Sequence, residues 1–101
     1  MKQSKFRHIK EFVIKGSIIT ESYAKISNGY GKGRLYFTEE AIEFYTDIYD
    51  RMPTLKINMS EVRSVNRATH SKFTIHIKND MYTIKVPKGS ADAWIDLLIN
   101  Y

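Results

Sequence analysis

A chain of 101 residues holds one domain and is long enough to bury roughly two-thirds of its unfolded surface without covalent staples. It contains no cysteine, which excludes disulfides, thiolate metal sites and a cysteine nucleophile. Its net charge of +5 and pI near 9.5 direct attention to anionic partners: nucleic acid, anionic lipid or an acidic protein.

The charge is unevenly spread. Residues 1–37 carry eight basic residues (Lys2, Lys5, Arg7, Lys10, Lys15, Lys25, Lys32 and Arg34) against Glu11 and Glu21, a net of +6. The remainder carries eight basic and nine acidic residues, a net of −1. No stretch reaches the roughly 18 apolar residues of a membrane span. The N-terminus lacks a signal-peptide apolar region, so a cytoplasmic address is expected, with the inner face of the membrane as a peripheral site.

Residues 1–10 form a basic N-terminal segment, read either as a frayed, disordered end or as part of a basic amphipathic helix with Phe6, Ile9 and Val13 on one side. The domain proper is expected over 11–101. EFVIKGSII (11–19) and SYAKIS (22–27) are two strand candidates. NGYGKGRLYF (28–37) follows, with three alternating glycines. Its G-x-G-x-G spacing departs from the dinucleotide fingerprint, Lys32 is followed by Gly33 rather than Ser or Thr, and a strand-like run follows where a phosphate loop needs a helix. It reads as a turn whose glycines supply positive φ or bulge relief.

RLYFT (34–38) and AIEFYT (41–46) read as paired strands, with Leu35, Phe37, Ile42 and Phe44 facing one core. The loop TDIYDRMP leads to the strand LKINM (55–59), and SEVRSV (60–65) reads as a short strand entered through a tight bend. KFTIHIKNDMYTIKV (72–86) alternates cleanly on both arms, and Asn79-Asp80 is expected to turn it through positive φ. GSADAWIDLLINY breaks the pattern: Ser90 is placed as N-cap, Asp92 sits in the first turn, and Ala91, Trp94, Ile95 and Leu98 make one apolar stripe. So short a helix is marginal alone and must lie on the sheet, with Trp94 as its plug. The fold class is therefore mainly β, about seven antiparallel strands with one C-terminal capping helix.

Lys25, Lys32 and Arg34 form a K-x6-K-x-R pattern. Lys32 and Arg34 share a strand face, and Lys25 on the preceding strand can converge with them. Such a cluster can hold a phosphorylated headgroup, or it can be edge-strand charge that deters aggregation. No catalytic, cofactor or metal site is legible. His8, His70 and His76 lack metal-ligand spacing, and no G-x-S-x-G elbow occurs. Glu39, Glu40 and Glu43 cluster at what reads as a solvated turn. Tyrosines mixed with basic residues in YGKGRLY suit single-stranded nucleic acid, but Tyr23, Tyr30, Tyr36, Tyr45 and Tyr49 are equally ordinary strand and turn residues. The reading is a non-enzymatic binding module for a protein or an anionic lipid headgroup. Nucleic acid is disfavoured, and weak self-association stays open.

GRLYFTEEAIEFY resembles the signature of GRAM and bacterial pleckstrin-homology-like domains, carried by Gly33, Leu35, Tyr36, Thr38 and Phe44. LKINMSEVRSV is similar to that pattern's next segment through Ile57, Glu61, Val62 and Val65. IKG…YGKG…EFYTD also looks like a small bacterial family associated with mannose-type sugar phosphotransferase systems, through Ile14, Lys15, Gly16, Tyr30, Gly31, Lys32, Glu43, Phe44, Tyr45 and Asp47. The resemblance, spanning 16–101, implies a bent antiparallel barrel or sandwich capped by the helix. It also implies that Lys25, Lys32 and Arg34 occupy the headgroup-binding hairpin of classical pleckstrin-homology domains. The second likeness implies a regulatory role in sugar transport.

Overall fold

Period-two alternation becomes seven strands in the computed structural model, which describes Lys10, Val13, Ile14, residues 16–47 and residues 49–100. In chain order they are β1 (Ile18–Ile26), β2 (Gly31–Thr38), β3 (Ala41–Tyr45), β4 (Leu55–Asn58), β5 (Ser64–Thr69), β6 (Lys72–His76) and β7 (Met81–Lys85). Helix α1 (Ala91–Ile99) follows. The strands form one antiparallel sheet in the order β4-β3-β2-β1-β7-β6-β5. Two meanders, β1–β4 and β5–β7, meet at a seam of only two residue pairs, Lys25↔Lys85 and Ile26↔Ile84. The sheet does not close, and β4 and β5 are its edges.

The inner face is the core. Leu35 and Phe37 of β2 meet Ile42 and Phe44 of β3, and Phe73 and Ile75 of β6 meet Tyr82 and Ile84 of β7, as alternation predicts. Helix α1 lies against β5 and β6. Its Ala91, Trp94 and Leu98 are buried, while Ile95 is only half-buried. The Trp94 ring stacks on Phe73 with centroids 6.2 Å apart, and its indole N–H donates to Ser22 Oγ at 3.0 Å. Trp94 thus ties the second meander to β1.

Several local expectations are corrected. Of the two strands expected in EFVIKGSII and SYAKIS, Glu11, Phe12 and Lys15 lie outside the described residues, and the described part holds one strand where two were expected. The chain turns at Gly16, whose φ is 91°, and the rest is the single strand β1, with an irregular register between Ile18 and Thr20. Asn79 and Asp80 do not adopt positive φ. Among the described residues Asn28, at φ 65°, is the one non-glycine that does. The β6–β7 reversal is closed instead by the Ile77 N–H donating to the Asp80 carbonyl at 2.9 Å. Ser90 occupies the N-cap position but makes no side-chain cap, because its backbone is already helical (φ −90°, ψ −13°). The bend before β5 is a 3-10 turn, Met59–Glu61, fixed by Glu61 accepting from the Asn58 side-chain amide at 2.7 Å. His76, which alternates with the buried Phe73 and Ile75 along β6, is half-buried.

The outer face of β2–β3 carries a second cluster that alternation does not show. Ile14, Ile18, Tyr36 and Tyr45 pack together there, with Val13 against them, so all five residues of β3 are buried. Glu43 therefore does not belong to a solvated turn. It is 6% exposed and accepts a hydrogen bond from the Tyr45 hydroxyl at 2.8 Å. The β2–β3 turn is closed by the Thr38 hydroxyl, which accepts from the backbone N–H of Glu40 and Ala41 at 3.3 and 3.2 Å. The basic segment 1–9 lies outside the described residues.

Candidate anion-binding face

Residues directly opposite across an antiparallel pair point to the same side. The β1–β2 register therefore stacks three rows on the outer face: Glu21↔Tyr36, Tyr23↔Arg34 and Lys25↔Lys32. Lys25, Lys32 and Arg34 share that face, as the spacing predicts, but they do not behave alike.

Arg34 is drawn into the sheet. Its Nη2 lies 3.4 Å from Glu21 Oε2, and its side chain is 15% exposed. Its guanidinium carbon sits 4.6 Å from the Tyr23 ring centroid. The next cation along is Lys10, which is buried. Its ammonium stands 3.8 Å from the Tyr45 ring centroid and donates to the carbonyls of Asp47, at 3.3 Å, and Asp50. Burial lowers the Lys10 pKa, against the opposing pull of Asp50, Asp47 and Glu43. Burial also pushes the Tyr36 hydroxyl up to about 12, reinforced by Glu21 and opposed by Arg34. Tyr45 is raised further, by burial and then by its bond to Glu43. The two rings meet edge-on at 5.7 Å. Beside them opens a cleft of about 260 Å³ whose walls include Lys10, Tyr23, Arg34, Tyr36 and Tyr45, with Lys32 also on its wall. Lys10 and Arg34 each have a partner, so their end of the cleft reads as structure.

Lys25 and Lys32 are exposed, and neither joins any ion pair found among the described residues. Edge protection does not account for them, because β1 and β2 are interior strands. They line a depression of about 350 Å³ together with Tyr23, Val86 and Lys85. Lys85 reaches it through the seam pairing with Lys25. Sequence reasoning missed it because that pairing joins residues 60 positions apart. The available signal was its place on the polar side of the hairpin's second arm.

The glycine stretch is a turn. It leads into β2, not into a helix. Gly29 and Gly31 sit at φ 84° and 81°, where side chains are disfavoured. Gly33 has a different reason: a Cβ there would collide with the Tyr45 carbonyl oxygen and meet Phe44 Cζ at 2.9 Å. The turn is tied to β7 by the Asn28 side-chain amide donating to the Met81 carbonyl at 3.3 Å and by Thr83 N–H donating to Ser27 Oγ at 3.0 Å.

The same fold occurs in solved structures. The N-terminal PH domain of human ARAP2 matches with a TM-score of 0.69 at 18% identity, covering 80% of this chain and 76% of that one. The Slm1 PH domain in complex with inositol-4-phosphate matches with a TM-score of 0.66 at 19% identity, covering 83% and 95%. The Slm1 PH domain in complex with phosphoserine matches at 0.67 and 20% identity, covering 81% and 94%. This is a pleckstrin-homology-like fold. No family model and no curated protein matches the chain. Within this pleckstrin-homology-like sheet, no group of three or more metal-binding side chains exists among the described residues. None of the described helices is long and apolar enough to cross a membrane.

Proposed function

We propose that this pleckstrin-homology-like chain is a non-enzymatic binding module for a phosphate-bearing anionic ligand, held by Lys25 and Lys32. One observation carries the reading. The two lysines are direct cross-strand neighbours, exposed, and without a carboxylate partner among the described ion pairs. Like charges set opposite one another destabilise a sheet. A phosphate between them turns that cost into two charge-assisted hydrogen bonds. Two structures of the same fold hold inositol-4-phosphate and phosphoserine, which supports this ligand chemistry. Arg34 serves as a positioning residue that holds Tyr23 over the strand.

The basic N-terminal third narrows accordingly. Of its eight cations four are described, and of these Lys25 and Lys32 are the exposed pair. A membrane headgroup and a phosphorylated protein offer the same phosphate. The pathway, including the phosphotransferase role and GRAM membership, rests on sequence likeness alone. Titration of wild type and the Lys25→Ala/Lys32→Ala variant tests the reading, using inositol-4-phosphate, a phosphoserine peptide and a single-stranded oligonucleotide at low and physiological salt. The expected result is binding to a phosphomonoester probe that weakens at least tenfold in the variant. Equal binding by the two proteins, binding to the oligonucleotide alone, or no binding to either phosphomonoester would overturn it.

A further inference from the structure

A further cleft opens between β3, β4 and the loop that joins them, and neither Lys25 nor Lys32 lines it. It holds about 350 Å³, enough for a small molecule. Glu43 lies on its wall and is 6% exposed. Lys56 stands directly opposite Glu43 in the β3–β4 register, so the two side chains leave the sheet on the same side. Opposite charges so placed ordinarily attract and stabilise the sheet. Here they stay apart: neither Glu43 nor Lys56 joins an ion pair found among the described residues. Glu43 instead accepts a hydrogen bond from the Tyr45 hydroxyl at 2.8 Å, and Lys56 is exposed.

A buried carboxylate is costly unless a cation or several donors compensate it. One hydroxyl uses one of its roughly four acceptor positions. Lys10, the buried cation among the described residues, spends its ammonium on the Asp47 and Asp50 carbonyls and the Tyr45 ring. Burial dominates the Lys10 pKa, and Glu43 is the smallest of the three acidic influences that oppose it. Thr38, also on the cleft wall, is committed to the β2–β3 turn through Glu40 and Ala41. Glu43 therefore keeps capacity for a further donor, and that donor must be small enough to enter the cleft.

We propose that this cleft binds a free apolar α-amino acid as its zwitterion. The ammonium group donates to Glu43, the carboxylate accepts from Lys56 and Arg51, and the side chain rests on Val13, Met52 and Pro53. The charged lining consists of two carboxylates, Glu40 and Glu43, and two cations, Arg51 and Lys56. That balance suits a neutral ligand bearing both charges rather than a bare anion or cation. An α-amino acid carries its two charges on one carbon, which lets it bridge Glu43 and Lys56, cross-strand neighbours with Cβ atoms about 5 Å apart. Arg51 is exposed and joins no ion pair found among the described residues, and its guanidinium matches a carboxylate in shape. Met52, 77% exposed, offers a large apolar side chain on the wall beside Pro53 and Val13. The site goes beyond the phosphate reading and does not depend on it.

The test is calorimetric titration with L-methionine and L-leucine, set against N-acetyl-L-methionine, which lacks the ammonium, and L-methioninamide, which lacks the carboxylate. Wild type should bind the free amino acids. Each blocked analogue should bind about tenfold or more weakly, because a hydrogen bond to a charged group is worth at least that factor. Glu43→Gln should lose a similar factor for the free amino acids. Because Glu43 is buried, a second variant on exposed residues, Arg51→Ala/Lys56→Ala, keeps the test independent of folding. It should melt like wild type, lose about tenfold or more for the free amino acids, and match wild type in titration with inositol-4-phosphate. No binding of either amino acid by wild type would overturn the proposal. A blocked analogue that binds as tightly as L-methionine would overturn the zwitterion, in favour of a plain anion or a plain amine. Amino-acid binding retained in full by Arg51→Ala/Lys56→Ala would overturn the site. Equal loss of inositol-4-phosphate binding in that variant would reduce the effect to net charge and overturn it as well.

Discussion

Two groups of cations share the outer face of one sheet, and they are built for opposite ends. Lys10 and Arg34 are withdrawn from water and given rings and oxygens: Tyr45 with the Asp47 and Asp50 carbonyls for one, Tyr23 with Glu21 for the other. Lys25, Lys32, Lys72 and Lys85 are exposed and face one another. Counting charge treats all six alike, and only register and burial separate them. A buried cation must be compensated within the fold. An exposed row of like cations has no such compensation among the described ion pairs, and the function proposed above assigns its Lys25–Lys32 end to an external anion.

That contrast can be broken in graded steps. The largest effect should come from beneath both groups. Trp94→Ala removes the stacked ring on Phe73 and the bond to Ser22, and should cost roughly 3–5 kcal/mol in denaturant unfolding. A cost below about 1 kcal/mol would remove α1 from its place as the cap of the sheet. Next, Lys10→Ala should cost roughly 2–3 kcal/mol, because it strips buried packing and leaves two carbonyls without their donor. If its destabilisation is negligible, Lys10 belongs with the exposed lysines.

The structural group should also show itself in alkali. Tyr36 is pushed up to about 12 and Tyr45 is raised as well, so the folded state holds protons that the unfolded state, titrating near 10, releases. The tyrosine contribution is fully present below pH 10 and falls between about pH 10 and 12. Lys10, with its lowered pKa, acts in the opposite sense below its unfolded value of 10.5, so the tyrosine effect is read above that pH. Thermal melts of Tyr36→Phe and Tyr45→Phe across this range should show a shallower decline than wild type, and an unchanged slope would contradict the assignment. The smallest effect belongs to the ion pair between Arg67 and Asp92, 3.0 Å long but more than half exposed on both sides. Asp92→Asn should change stability by about 0–1 kcal/mol, most at low salt.

The legible parts of this fold were the local ones. The Phe73–Val86 hairpin and the Trp94 helix follow from alternation and helical spacing within a dozen residues. The β1–β7 seam was hidden because nothing in the chain announces which strand meets which across 60 residues, and with it went Lys85 and Lys72. The second cluster was hidden for another reason. Glu43 and Lys10 are residue types usually found at the surface, and Tyr36 and Tyr45 are of a type found on either side; the tyrosines are buried where the chain near Val13 and Ile14 packs over β2–β3. Arg34 was grouped with Lys25 and Lys32 on spacing that is correct for the strand face. Its partners Glu21 and Tyr23 lie in the neighbouring strand, where a one-dimensional pattern cannot pair them.

The most direct test of the division between the two cation groups sets Arg34→Ala against Lys25→Ala/Lys32→Ala, each measured for melting temperature and for inositol-4-phosphate binding under conditions where both are folded. The account predicts a crossed result: Arg34→Ala lowers the melting temperature and keeps most of the binding, while Lys25→Ala/Lys32→Ala keeps or raises the melting temperature and loses the binding. Binding lost in Arg34→Ala and retained in the lysine variant would contradict it, and would make the partnered arginine the ligand contact.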